Sequence, residues 1–403
     1  MTSRSRARSW VSNIPHFLCL MNREAARSCA DAFKNGDASA SPMVDLFKPY
    51  RIGELEIRNR FIRSATTSAW SDEHGVVRDE MIRFYGQLTE GGVGLIIKGH
   101  LYIDPRGKAH IGMAGIHDDS AVPKLKELTD AVHSHGGAIL AQINYGGYQA
   151  SAGERMGPSD YKGKGWEARA MTPHEIWDAI ERFGAASERA IRAGFDGVQL
   201  HAAHGYLISE FLSKHANTRT DEWGGDLKNR MRLLREVYED VRGRLGGDAV
   251  ISMKMNCDDF SSDGFTVDEA AQVAQAMATR GIDMIEVSGG GIGKDEKYLG
   301  RARHTDPALS EPSFAGHCEK IRATTKPKAL ALVNGFKTKA AMQAVVDRGI
   351  ADLISLSRPY IREPDLVKRL QSGQDEASCI RCDACQSDAV FSKAMLRCRL
   401  DNP

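Results

Sequence analysis

Eight apolar runs of strand length recur along this chain, and a stretch of helical period separates most of them. The runs are Phe61 to Thr66, Val93 to Gly99, Ala138 to Ile143, Gly197 to His201, Val250 to Met255, Met284 to Ser288, Ala329 to Asn334 and Leu353 to Ser357. Between them, Ile176 to Ala193, Asn229 to Leu245, Val267 to Arg280 and Thr338 to Arg348 carry apolar residues at helical spacing. Near-continuous apolar strands separated by helices point to a parallel sheet covered on both faces. Eight such units in one chain fit an α/β fold, the (β/α)8 TIM barrel, with functional residues at the strand C-termini. A doubly wound open sheet is the alternative.

The remainder of the chain sets limits on that unit. Of 403 residues, 1–43 read as a disordered or mis-started N-terminal extension, 44–372 as the barrel and 373–403 as a cysteine-rich tail. The extension carries Arg4, Arg6 and Arg8 and no acid before Glu24, as transit-like leaders do. A true start at Met43 is the plainer reading. A net charge of +1 gives no reason to expect nucleic acid as a partner. No apolar run approaches a membrane span, so a cytoplasmic protein with no membrane partner is expected.

Several strands end in polar or small residues. The sequence His201-Ala-Ala-His204-Gly-Tyr206 follows the fourth run and brings two imidazoles and a phenol to one strand end. Together they can polarise a carbonyl and protonate its neighbour. Two His at this spacing also suit a metal, though no carboxylate stands at obvious ligand spacing. In barrels, phosphate binds in the loops after strands seven and eight. Here those loops hold Asn334-Gly335 and Ser357-Arg358. Gly335 lets amides approach an anion, and Arg358 can clamp it. The run Gly289-Gly290-Gly291 lacks phosphate-loop spacing and reads as a flexible loop beside the pocket.

The opening Asn59-Arg60-Phe61-Ile62-Arg63-Ser64-Ala65-Thr66-Thr67, then Gln142, the His201–Tyr206 segment and the long stretch Phe211 to Gly225 together resemble the old yellow enzyme family of flavin-dependent ene-reductases. The resemblance runs from Val44 to Leu370 and implies an FMN-containing barrel. It implies that amides of Ser64, Ala65, Thr66 and Thr67 line the flavin pyrimidine, with Thr67 tuning its potential. By the same resemblance Gly99 leaves room for the ring, Gln142 grips the pyrimidine edge, and Lys254 stands where the family usually has Arg. His201 and His204 would hold a substrate carbonyl, and Tyr206 would donate the proton. The implied reaction is NAD(P)H-linked reduction of a carbonyl-activated alkene by an FMN enzyme, with a homo-oligomer expected. Ala65 replaces a common Pro, and Ala69 and Asn144-Tyr145 also depart from the family. Those changes bear on the substrate rather than on the flavin.

The tail carries Cys379, Cys382, Cys385 and Cys398. Three thiolates at two-residue gaps with a distant fourth can enclose an iron–sulfur cluster. Structural zinc and free redox-active thiols are the alternatives. The segment resembles the cluster-binding part of the dienoyl-CoA reductase and trimethylamine dehydrogenase branch, which spaces its third Cys one residue later. That resemblance implies a 4Fe–4S cluster, and with it an external electron donor. A flavin and thiol redox sensor without fast turnover is a further alternative.

Overall fold

The computed structural model describes residues 43–291, 311–326, 328–386 and 396–400. The expectations for residues 1–42 and for the glycine-rich loop beyond Gly291 lie outside them. Eight parallel strands close a barrel: β1 Phe61–Arg63, β2 Leu95–Tyr102, β3 Ala138–Asn144, β4 Gly197–Ala202, β5 Val250–Asn256, β6 Met284–Ser288, β7 Ala329–Val333 and β8 Leu353–Leu356. Pairing of Ile354 with Phe61 and Leu356 with Arg63 closes the ring. All eight expected runs are strands, so the barrel expectation holds and the open sheet does not.

Helices α1 Asp79–Glu90, α2 Val122–His133, α3 Pro173–Arg192, α4 Arg232–Leu245, α5 Val267–Arg280, α6 Ala315–Thr325, α7 Lys339–Asp347 and α8 Leu366–Gln371 connect the strands and follow the last one. Their starts are written locally. Thr172 and Thr266 each form a capping box, with Glu175 and Glu269 three residues on.

The barrel interior has a polarity that follows from period-two alternation. Ile62, Ile97, Leu140, Val250, Met284 and Leu353 face inward at the N-terminal end, in one apolar cluster with Ile52 and Ile57. Those two come from the hairpin Tyr50–Ile57, which stoppers that end. Two residues further along five of these six series, the side chains turn polar: Ser64, Gln142, Ser252, Glu286 and Ser355, all buried. Burial of apolar side chains stabilises the lower half. The upper half holds polar groups that need partners.

Two features were not legible in the alternation. A small sheet of Met156–Gly157, Tyr161–Gly163 and Trp166–Ala170 stands between β3 and α3. Its core is an aromatic stack of Tyr148, Tyr161 and Trp166, with ring centroids 5.0 and 5.5 Å apart. Strands this short show no period. The second is a register shift between Lys98 and Leu101, which carries β2 to Tyr102 instead of ending it at Gly99. Such bulges re-aim side chains next to active sites.

Candidate active site at the C-terminal end of the barrel

A connected polar web fills the upper barrel. Glu286, fully buried, accepts from Ser64 Oγ at 2.7 Å, Ser355 Oγ at 2.6 Å and Gln199 Nε2 at 3.0 Å. Gln142 donates to Gln199 Oε1 at 2.7 Å. Lys254 stands opposite both His201 and Glu286 in the strand register. Its Nζ lies 2.7 Å from Ser64 Oγ and 3.3 Å from Glu286 Oε2. Burial lowers the Lys254 ammonium, and the Glu286 charge opposes that shift. Lys98 is a second buried cation, and its Nζ donates to the Gly99 carbonyl at 2.8 Å. With no ion pair reaching it among the described residues, burial pulls it down to about 7.

Above the web lies an aromatic cluster. The His201 ring is 4.7 Å from Tyr206 and 5.3 Å from His204, and His100 is 5.1 Å from Tyr206. Burial holds His201 and His100 well below the usual imidazole range, with neighbouring imidazoles adding to the effect. Both are neutral near pH 7, so each ring carries one N–H donor.

The loop that presents His204 and Tyr206 is fixed at several points. His204 sits at φ 65°, a left-handed conformation uncommon for His. Asn256 accepts from its amide at 3.0 Å, and its Nε2 is 2.7 Å from Ser288 Oγ. Gln149 donates to the carbonyls of His204 and Gly205 at 2.6 and 2.7 Å. Tyr206 then caps the short helix Leu207–Leu212. The Phe211 to Gly225 stretch is structural here. Asn217 donates to the carbonyls of Phe211 and Trp223, and Arg219 clamps Asp221 while reaching Pro158 and Met171.

Two of the expected residues are tied into the barrel itself. The Ser64 amide donates to the Leu356 carbonyl at 2.8 Å as the barrel closes, so it is not available to line a ring. What Ser64 contributes is its hydroxyl, held between Lys254 and Glu286. At Gly99 a Cβ would fall 2.2 Å from the Thr66 carbonyl, so its bareness lets that backbone pass. Ala65, Thr66 and Thr67 follow on the strand-end segment, where Thr66 Oγ1 is 2.7 Å from Ser357 Oγ. Sequence reasoning gave no role to His100, Lys98 or Glu286.

At the β7 and β8 ends, Asn334 and Gly335 take φ of 87° and 90°. Arg358 pairs with Asp383 of the tail, and Arg381 donates to the Gly335 carbonyl at 2.7 Å. The tail is therefore folded over these two loops. One cavity there is lined by Cys379, Cys382, Cys385 and Cys398 with Arg358 and Arg362. Burial pushes the Cys385 thiol up to about 11 and Cys379 in the same direction. No disulfide joins them, and no three His, Cys, Asp or Glu among the described residues are arranged to hold a single metal ion. No helix among the described residues is long and apolar enough to cross a membrane.

Comparison with known proteins agrees with this geometry. The family model described as NADH:flavin oxidoreductase / NADH oxidase matches residues 45–377. The NADH oxidase of Thermoanaerobacter brockii is 31% identical over 369 residues, covering 89% of this chain and 56% of that protein. A 2-naphthoyl-CoA reductase in complex with 2-naphthoyl-CoA superposes with a TM-score of 0.80 at 27% identity, over 88% of this chain and 56% of that one. The old yellow enzyme homologue of Zymomonas mobilis superposes with a TM-score of 0.72 at 27% identity, over 87% of this chain and 99% of that one. The chain spans about half the length of the first curated relatives it matches. With the family model matching residues 45–377 and the barrel shared with these structures, the chain belongs to the NADH:flavin oxidoreductase / NADH oxidase family, that of old yellow enzyme.

Proposed function

We propose that this chain is an FMN-dependent oxidoreductase that uses NAD(P)H to reduce an alkene activated by a carbonyl group. The observation that carries the reading is the stacking of two layers at the barrel mouth: the Gln142–Lys254 web below and the His201, His204 and Tyr206 cluster above. The donor set fits FMN. Gln142 and the 65–67 backbone suit the pyrimidine edge, and Lys254 supplies a buried cation. Asn334, Gly335, Ser357 and Arg358 suit the phosphate, Gly335 through its positive φ. Bound FMN would supply hydride-type, two-electron chemistry between NAD(P)H and the alkene.

The side chains do the rest. His201, neutral and buried, donates to the substrate's carbonyl oxygen and draws electron density from the alkene. Tyr206, at van der Waals range of that ring, gives a proton to the carbon next to the carbonyl, while the far alkene carbon receives the hydride. The buried Lys254 charge favours the reduced, anionic cofactor. The test is anaerobic: NADH or NADPH should bleach the protein's flavin colour, and an enone such as cyclohex-2-en-1-one should restore it. A reduced protein that a panel of enones leaves bleached, while oxygen restores it, would overturn the alkene assignment.

A second reading adds an iron–sulfur cluster in the tail, favoured by the convergence of four thiols on one cavity. Arg362, which lines the same cavity, would offset part of the negative charge. Anaerobic purification followed by iron, sulfide and zinc analysis is expected to give about four irons per chain, lost in Cys382→Ser. One zinc, or neither metal with four titratable thiols, would contradict it.

A further inference from the structure

Glu286 takes no part in the hydride and proton steps, yet four groups converge on it. Its Oε1 accepts from Ser64 and Ser355, and its Oε2 from Gln199 and Lys254, the last at 3.3 Å. All four are placed to donate, which is what an acceptor-only carboxylate requires. The side chain is fully out of solvent and stands directly opposite Lys254 in the parallel register of β5 and β6. Among the described residues, Glu286 is the one carboxylate within ion-pair distance of Lys254. Ser64 Oγ, 2.7 Å from the ammonium, donates onward to the same carboxylate and closes a triangle of Lys254, Ser64 and Glu286. A lone buried cation acts on a neighbouring anion at full strength. A cation paired this closely acts as a dipole, and its field fades faster with distance.

We propose that Glu286 is a positioning residue that holds the Lys254 ammonium toward β6 and offsets its charge, setting the flavin potential below the value a lone lysine would give. The inference rests on the FMN reading, in which Lys254 supplies the cation beside the cofactor. A hydride from NAD(P)H adds one negative charge to FMN, so Lys254 favours reduction and Glu286 opposes it. The carboxylate therefore slows loading by NAD(P)H and speeds delivery of the hydride to the acceptor.

The experiment is a reductive titration of the FMN-loaded full chain against a reference dye. Glu286→Gln keeps the shape and an acceptor for the two serines but drops the charge. Its flavin potential should rise by at least about 30 mV, a tenfold shift in the affinity ratio of reduced to oxidised FMN for a two-electron couple. Glu286→Asp keeps the charge and should titrate near the wild type even where the shorter side chain lowers stability. If Glu286→Gln does not fold, Lys254→Met is compared with Lys254→Met, Glu286→Gln, which leaves no buried charge in the pair. The double variant should titrate at the higher potential. A carboxylate that only braced the web would change stability and FMN retention without moving the potential. An unchanged potential in Glu286→Gln, or in the double variant relative to Lys254→Met, would overturn the proposal and leave the FMN reading standing. A wild type that takes up no FMN would overturn both.

Discussion

Tyr206→Phe will leave bleaching by NAD(P)H nearly intact and slow reoxidation by an enone by about 10²–10⁴, the range for a positioned general acid. The expectation follows from how the phenol is held. Tyr206 caps the helix Leu207–Leu212, and its backbone is tied by the Ala203 carbonyl and by Glu210. Losing one oxygen therefore removes the acid without moving the loop. Phe keeps the ring contacts with His201 and His100, so enone affinity should change little. Stopped-flow measurement of the two half-reactions separates these effects. Reoxidation at the wild-type rate would show that solvent or another side chain delivers the proton.

Lys254→Met will cost about 3–5 kcal/mol of stability, because it strands Glu286 as an uncompensated buried charge. Both side chains of the pair are out of solvent, at 3% and 0% exposure. Ser64, Ser355 and Gln199 still donate to Glu286, which keeps its oxygens hydrogen-bonded but not neutral. The double variant Lys254→Met with Glu286→Gln should recover most of the loss, since no charge is then left unpaired. In reconstituted protein the flavin potential should fall, as the cation favouring the reduced form is gone. Denaturant titration of the two variants reads the first effect and a redox titration the second. A stability loss under about 1 kcal/mol would place the pair in water rather than in a sealed web.

The barrel was legible because its strands are buried on both faces, so their apolar runs are nearly continuous and hard to mistake. His201, His204 and Tyr206 were legible because one short loop carries all three. The web below was not. Glu286 reads as a polar interruption of Met284–Ser288, and Lys254 as a polar strand end. Nothing in either segment says that the two strands are neighbours in register. His100 was visible as a strand terminus, but the bulge that turns its ring toward Tyr206 leaves no trace in the alternation. The amide of Ser64 was expected to face a ligand. Barrel closure takes it first, since a buried N–H binds the nearest carbonyl, and that is Leu356.

Whether FMN sits at the barrel mouth is tested most directly by the absorption spectrum of the purified chain, before and after incubation with FMN and desalting. The expected result is a yellow protein with a flavin spectrum, holding stoichiometric FMN that denaturation releases intact into the supernatant. A folded, colourless protein that takes up no FMN on incubation would contradict it.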